Sequence, residues 1–236
     1  MKLLLATATI SLLAFTVSAV QKTTKAITKQ EVTASISQYL NQQLKDANLS
    51  KKLAEKIVDS TLEWTPKTID ISKGDYILAY AFGNEIDHNG NKLPGKMNKA
   101  LADLIVKIYN KIHKPVYAQW EIAQCIGNRI PRNMLHPIYP QITLEGEVIY
   151  LSTIGVAKDF ARQVGRNSLK NAKVIIIAFK DHARRCVATS INNGINAYAP
   201  ADYELPERYD SNSGQPWTRD KQTYMLQDMS VRLLQK

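Results

Sequence analysis

The chain has 236 residues, enough for one domain with a sizeable core, and its 31 Lys and Arg against 21 Asp and Glu give a formal net charge of +10. The positive charges are spread along the chain, which favours anionic surroundings such as phosphate-bearing polymers or a membrane surface, although a generally basic solvated surface explains the same balance. Its two cysteines have no His or Cys at ligand spacing, and this argues against a zinc site.

Residues 1–19 have the pattern of a secretory signal peptide. Lys2 supplies a short positive region, Leu3–Phe15 is apolar, and Val17-Ser18-Ala19 satisfies the small-residue rule for cleavage after Ala19. The apolar run is shorter than the roughly 20 residues that a membrane span needs, and an uncleaved anchor is the alternative. We therefore expect a periplasmic or secreted protein with no nucleic-acid partner. In such a compartment Cys125 and Cys186 either form one disulfide or stay free.

Residues 20–70 are predicted to form an N-terminal helical extension. Thr28 and Glu31 have the spacing of a capping box, and apolar residues recur at helical spacing after them. A second amphipathic helix is predicted at Ser50–Trp64, where a following proline ends it. We expect the two helices to pack on the main domain, with their aliphatic stripe contributing to the core.

Residues 71–236 are predicted to form one α/β domain, because apolar strand runs alternate with amphipathic helices. The sequence predicts a Rossmann-like three-layer α/β/α sandwich with a mostly parallel sheet. The predicted strands are Tyr76–Phe82, Pro115–Ala118, Val174–Ala178 and Ile195–Ala199. The predicted helices are Met97–Ile112, Gln119–Ile126, Ser152–Val164, Asp181–Ile191 and one that begins after Thr218.

The strand–helix–strand unit that ends at Pro200 has the most polar strand-to-helix junction in the chain. Its helix opens with Asp181-His182-Ala183-Arg184-Arg185, in which His182 and Arg185 lie three apart and share a face. A helix N-terminus binds anions, Arg binds phosphate or carboxylate, and His exchanges protons near neutral pH. This predicts an anion site with His182 as the catalytic acid or base and Arg184 and Arg185 as ligand-binding groups. The alternative is a structural salt bridge for Arg185 and a local helix cap for His182.

Gly83 and Asn84 close the first strand and open a long polar loop. Glycine lets the backbone approach a ligand, and Asn84 can orient a ribose or phosphate, although the loop is not a GxGxxG fingerprint. Because the carboxyl ends of parallel strands meet at one edge of a sheet, we expect Gly83, Thr153 and His182 to converge there. Glu121, just past the second strand, is either a general base or an exposed helix carboxylate.

Three features, in this order, resemble the YdcF/SanA/ElyC-like family, a domain of unknown function. They are the strand that ends in Gly83 before a Gly/Pro loop and a helix, the Ser152-Thr153 pair that opens a middle helix, and the segment VIIIAFKDHARR…NNGINAYAP. The resemblance covers roughly Asp75 to the C-terminus. It implies a Rossmann-like fold and, for exported relatives, a role in cell-envelope biogenesis. A nucleotide-like ligand, S-adenosylmethionine, is associated with a cytoplasmic relative.

The chain departs from the family pattern at three polar positions. Asn98 stands where the family tends to have Arg, Gly155-Val156 replaces an acidic–Asn pair, and Ala178-Phe179 replaces Thr-Ser. We expect an exported protein that binds, or binds and processes, a phosphate- or nucleotide-containing envelope precursor. The departures favour the alternative, a non-catalytic interaction protein whose basic surface or N-terminal helices dock on a partner or on anionic lipid as a peripheral membrane contact.

Overall fold

The computed structural model describes residues 26–142 and 148–234, and the expected signal peptide lies outside these residues. No helix of these two ranges combines the length and the apolar character needed to cross a bilayer. The strands are β1 (Thr68–Ile69), β2 (Tyr76–Ala79), β3 (Glu85–Ile86), β4 (Lys92–Leu93), β5 (Val116–Gln119), β6 (Leu135–Ile138), β7 (Gln141–Ile142), β8 (Val148–Ile149), β9 (Val174–Ile177) and β10 (Ala197–Pro200). The helices are α1 (Lys29–Leu44), α2 (Ala47–Ile57), α3 (Gly95–Ile112), α4 (Trp120–Ile126), α5 (Thr153–Val164), α6 (Arg166–Leu169), α7 (Lys180–Asn192) and α8 (Lys221–Leu234), and Val58–Leu62 continues α2 as a π-helical turn.

Six strands form one sheet in the order β1-β10-β9-β2-β5-β6, and every neighbouring pair is parallel. In the centre of the sheet, Ile77 pairs with Val116 on one side and with Ile175 on the other. The two remaining pairs, β3 with β4 and β7 with β8, are short antiparallel ribbons outside this sheet. The sheet confirms the predicted Rossmann-like α/β sandwich.

The central strands are buried on both faces, which explains their unbroken apolar runs. All four residues of β9 are fully buried. Ile175 and Ile177 face a core cluster formed with α3 and α4. Val174 and Ile176 face a second cluster formed with α5 and α7. Because strand side chains alternate between faces, one β-branched run contributes to both cores and fixes the three-layer arrangement.

The two cysteines are free, so the disulfide that the sequence allowed does not form. Cys125 on α4 packs against the cluster on one face of the sheet. Cys186 on α7 is fully buried in the cluster on the opposite face. A disulfide needs Cα atoms within about 7 Å of each other, and the sheet lies between these two residues.

The N-terminal helices form a hairpin that begins with the predicted capping box. The Thr28 backbone amide donates to Glu31 Oε2 at 2.7 Å, and the Glu31 amide donates to Thr28 Oγ1 at 3.2 Å. The prediction that the aliphatic stripe is core is wrong for α1, which buries none of its residues. The reason is that α1 packs on α2 and on the π-helical turn that follows it, so one face of the helix meets protein.

Candidate functional site

The strand order opens a crevice at the carboxyl ends of β2 and β9. From β2 the chain moves outward through β5 and β6 and then returns to β9 on the other side of β2. The loops that leave β2 and β9 therefore diverge, and in open α/β sheets ligands bind at such a switch point. A cavity of about 340 Å³ lies there, and we call it the edge cavity. Its polar lining residues include Gln119, Tyr150, Ser152, Thr153, His182, Arg185, Gln215, Thr218 and Gln227.

Four of the six predicted site residues line the edge cavity: Gly83, Thr153, His182 and Arg185. The expected convergence therefore occurs, because the chain after β2, the start of α5 and the first turns of α7, which carry both His182 and Arg185, meet at one edge.

The structure does not bring Asn84 and Arg184 to the edge cavity. Asn84 is 3% exposed, and its carbonyl accepts a hydrogen bond from the Gly214 amide at 2.7 Å. Its side chain packs so closely on Gly214 that a Cβ there would lie 2.5 Å from Asn84 Oδ1. Arg184 lies near the N-terminal hairpin, where its charge opposes those of Lys29 and Arg232. Asn84 is therefore a packing residue, and Arg184 lies toward the N-terminal hairpin, away from the edge cavity.

Arg185 is held in a buried network centred on Asp228. Its Nε donates to Asp228 Oδ1 at 2.5 Å, and its Nη1 donates to Thr153 Oγ1 at 2.9 Å. Its Nη2 donates to Tyr224 Oη at 3.2 Å. Asp228 is fully buried and also faces Arg232, whose Nε lies 2.7 Å from Oδ2. We call these five residues the Asp228 network, and its single carboxylate between two guanidinium groups leaves one positive charge in excess.

His182 is buried behind Arg185, at 6% exposure. Its Nδ1 is hydrogen-bonded to Tyr224 Oη at 2.7 Å. Burial, and then the charge of Arg185, lower the pKa of His182 well below its ordinary 6.5. The imidazole is neutral at neutral pH and a weak base. Burial of the ring and the adjacent guanidinium of Arg185 disfavour a protonated His182 at neutral pH, and its role as catalytic acid or base stays a prediction.

The amino end of α7 is covered and does not form the predicted anion site. The Lys180 amide donates to the carbonyl of Pro206 at 2.8 Å. In the same turn the Asp181 carboxylate accepts a hydrogen bond from Tyr209 Oη at 2.8 Å. The segment that follows β10 thus occupies the helix end, and a carboxylate there opposes a bound anion.

The helix that starts at the edge cavity is α5. Ser152 caps it, since the Gly155 amide donates to Ser152 Oγ at 3.2 Å. Ser152 and Thr153 both line the cavity, so the positive end of the α5 dipole lies at its wall. The cavity is therefore lined both by the positive end of α5 and by the guanidinium of Arg185, which are adjacent because Arg185 Nη1 donates to Thr153 Oγ1.

Gly83 and Asn98 shape the floor of the edge cavity. Gly83 has φ +66°, and a Cβ on it would lie 2.5 Å from Met97 Cε and 2.7 Å from Ser213 Oγ. Asn98 is fully buried, and its Nδ2 donates to the Gly83 carbonyl at 2.8 Å while its Oδ1 accepts from the Phe82 amide at 2.9 Å. Asn98 thus holds the chain just after β2 in place.

Three further residues that line the edge cavity, Gln119, Tyr150 and Gln215, were not among the predicted site residues. Tyr150 Oη donates to Glu121 Oε1 at 2.5 Å, and both glutamines line the same cavity. Gln119 follows the second predicted strand directly, so the strand-end rule that selected Gly83 also applies to it. Tyr150 and Gln215 come from connecting segments, and no local pattern marks them.

Glu121 is fully buried, which corrects the expectation of an exposed helix carboxylate. Its Oε2 has no hydrogen-bond partner among the described residues. Burial raises the pKa of the Glu121 carboxyl, an effect that the hydrogen bond from Tyr150 partly offsets. A carboxyl of this kind sits behind Tyr150 at the cavity wall and resists ionisation.

Glu121→Gln should therefore become relatively more stable as pH rises. Below the ordinary carboxyl pKa of 4.5 both side chains are neutral; above it the unfolded wild type ionises while the folded protein resists ionisation. The free energy of unfolding of the variant minus that of the wild type should increase from pH 4 to pH 7, measured by urea denaturation. Glu207→Gln is the control, because Lys180 lowers the pKa of that exposed carboxyl and the difference should move the other way. A flat difference for Glu121→Gln would contradict the buried, raised-pKa carboxyl.

Comparison with known proteins identifies no relative of this chain. The chain matches no protein-family model, no curated protein and no solved structure. Within residues 26–142 and 148–234, no group of three or more His, Cys, Asp and Glu side chains could hold a metal ion. A functional assignment therefore rests on the shape and the charge of the edge cavity.

Proposed function

We propose that this protein binds a small ligand with a phosphate or carboxylate group in the edge cavity. The observation that supports the proposal most is that the start of α5 and the guanidinium of Arg185 line the same cavity. Both favour negative charge, one through the helix dipole and the other through its full charge. The anionic class of ligand is the one expected from the sequence, with α5 in the place of α7.

The charge balance around Arg185 supports an anion rather than a neutral ligand. Asp228 is shared between Arg185 and Arg232, so one carboxylate faces two cations. Arg185 has five N–H donors, and the described residues accept hydrogen bonds from three of its N–H groups. The remaining two and the excess positive charge are available to a ligand oxygen. A volume of about 340 Å³ is at the small end of the range for small-molecule sites.

The wall formed by Gln119, Tyr150 and Gln215 supports recognition of polar groups beyond the anion. Gln119 Oε1 already accepts from the Ala81 amide at 2.8 Å, which fixes the orientation of that side chain. Trp217, 45% exposed, lies at the same cavity and offers an aromatic face. A phosphate-bearing envelope precursor would place its phosphate near Arg185 and a polar or planar group near these side chains. The envelope setting comes from the YdcF-like resemblance and the signal-like N-terminus, and it belongs to the proposal.

The proposal is binding rather than acid–base catalysis by His182. A proton donor at neutral pH needs a pKa near that pH, whereas burial and Arg185 lower the pKa of His182 well below 6.5. Tyr224 Oη also occupies its Nδ1. The neutral imidazole therefore contributes shape, and no charge, to the wall of the cavity.

Thr153→Asp should strongly weaken anion binding, because it places a carboxylate beside Arg185 at the cavity wall. Affinity should fall on the order of a hundredfold, since a charge-assisted hydrogen bond is worth about 1.5–3 kcal/mol and repulsion adds to its loss. The probes are inorganic phosphate, nucleotides, sugar nucleotides and polyprenyl phosphates, followed by thermal shift and by Trp fluorescence.

Ile154→Asp is the matched control for this experiment. It adds the same charge one residue further along α5, at a 42% exposed side chain that does not line the edge cavity. Binding that survives in Ile154→Asp and disappears in Thr153→Asp supports the proposal. Equal binding by both variants, or no stabilisation of the wild type by any probe, counts against it.

A further inference from the structure

The N-terminal hairpin is anchored to the domain at one end, which we call its base. Lys29, at the start of α1, lies 2.7 Å from Asp59 of the π-helical turn. Arg232 of α8 donates to the carbonyl of Glu63 at 2.7 Å and stacks on the ring of Trp64 at 4.0 Å. Since α1 has 16 residues, its far end lies about 24 Å from this base. The turn between the helices, at Lys45 and Asp46, is therefore the end of the hairpin away from these anchoring contacts.

That far end, residues 39–53, carries a group of exposed apolar side chains, and we call it the hairpin tip. Exposure is 65% for Tyr39, 45% for Leu44, 45% for Leu49 and 37% for Leu53. Leu49 and Leu53 are one helical turn apart on α2, on the face next to the one that buries Ser50 and Ala54. The fully buried residues of α2 are small, whereas these two leucines are exposed and Ile57 is partly buried. This distribution is the reverse of what a helix packed only within its own chain needs.

The charges of the hairpin tip select one kind of occupant. Lys45, Lys51 and Lys52 are exposed. The one acidic residue of the tip, Asp46, is used as a helix cap, because the Leu49 amide donates to its Oδ1 at 2.9 Å. Apolar side chains flanked by lysines fit the interface of a bilayer, where the former enter the acyl boundary and the latter meet anionic headgroups. The net charge of +10 draws the whole chain toward the same surface.

We propose that the hairpin tip docks on a membrane surface rich in anionic lipid. In this arrangement Leu49 and Leu53 enter the headgroup region, and Lys45 in the turn between the helices and Lys52 beside the two leucines contact lipid phosphates. The inference is independent of the edge cavity, since the tip and the cavity share no residue. The peripheral membrane contact considered from the sequence would then be made by four side chains of the hairpin tip.

Vesicle sedimentation tests the proposal with the chain from Val20, which keeps every described element. The apolar run Leu3–Phe15 is left out, because it would itself partition into lipid. The wild type should bind vesicles of phosphatidylglycerol and phosphatidylethanolamine and bind phosphatidylcholine at least tenfold more weakly, an order of magnitude expected for several lysines at an anionic surface. Leu49→Asp/Leu53→Asp should lower binding about tenfold or more on both lipids.

Two further variants separate the lipid contact from a general surface effect. Lys45→Glu/Lys52→Glu should lose the preference for anionic vesicles and, since both side chains are exposed, should keep the fold. Leu226→Asp is the matched control, because that leucine is 63% exposed on α8 and its loss should leave binding unchanged. Circular dichroism checks the helix content of each variant.

Three outcomes would overturn the proposal. The first is a wild type that does not sediment with anionic vesicles, and the second is a set of tip variants that sediment as well as the wild type does. The third is self-association seen by sedimentation velocity, lost in Leu49→Asp/Leu53→Asp and accompanied by no vesicle binding. That result would assign the tip to a second copy of the chain. Should the aspartate variant lose helix content, the lysine variant decides between these outcomes.

Discussion

Asp228→Ala should lower the free energy of unfolding by about 3–5 kcal/mol, the usual cost of removing one partner from a buried ion pair. Asp228 is fully buried between Arg185 Nε at 2.5 Å and Arg232 Nε at 2.7 Å. Its removal leaves two largely buried guanidinium groups, with side chains 14% and 5% exposed, without this carboxylate. The measurement is urea denaturation, with the slope of the transition checked for two-state behaviour.

Asp103→Ala is the control for the loss of an aspartate. Asp103 also faces two cations, Lys99 at 3.1 Å and Arg129 at 2.6 Å, but its side chain is 48% exposed. Solvent screens this pair, so its loss should cost about 1 kcal/mol or less. A similar loss for both variants would contradict a structural role for the Asp228 network.

The Asp228 network also changes what is expected of Arg185→Ala. From the sequence, a helix-start Arg at the sheet edge contributes mainly to a ligand, and its loss leaves the fold intact. In the structure it binds Asp228, Thr153 and Tyr224, so its loss removes half of the charge compensation of a buried carboxylate. A drop in stability on the order of 3 kcal/mol should accompany any loss of ligand affinity. Affinities of Arg185 variants must therefore be measured on the folded fraction.

Gly83→Ala should destabilise the protein by about 2–4 kcal/mol, the sum of a left-handed conformation for a residue with a Cβ and of overpacking. The new methyl group would lie 2.5 Å from Met97 Cε, 2.7 Å from Ser213 Oγ and 2.8 Å from Thr218 Oγ1. Ser213 and Thr218 belong to the segment before α8, so this clash should also displace one side of the edge cavity. Thermal or urea denaturation measures the first effect, and ligand affinity measures the second.

Gly90→Ala separates backbone strain from the clash. Gly90 has φ +83°, but no atom lies within 4 Å of a Cβ built there. This variant should therefore cost about 1–2 kcal/mol, the price of the left-handed conformation alone. If Gly83→Ala is no worse than Gly90→Ala, the close approach of Ser213 and Thr218 to Gly83 is not rigid.

The sequence by itself determined the α/β class, the central strands and the sheet edge at which the edge cavity lies. The β-branched run at Val174–Ile177 is interpretable because a strand buried on both faces has no polar position to fill. Gly83 and His182 were placed at one edge for an equally local reason, since parallel strands that alternate with helices must end on the same side. Capping at Thr28 depends on three residues and was also predicted correctly.

Only the tertiary structure decided which groups face one another at that edge. Arg185 and Asp228 are 43 residues apart, and Tyr150 and Glu121 are 29 apart. The first pair sets how much of the Arg185 guanidinium is available to a ligand. In the second, burial of Glu121 raises its pKa, and the hydrogen bond from Tyr150 partly offsets that rise. Periodicity reports which side of an element is apolar, but it carries no information on which distant element covers that side. The neutral His182, the covered end of α7 and the exposed hairpin tip all depend on such coverage, and for that reason they appeared only when the chain was folded.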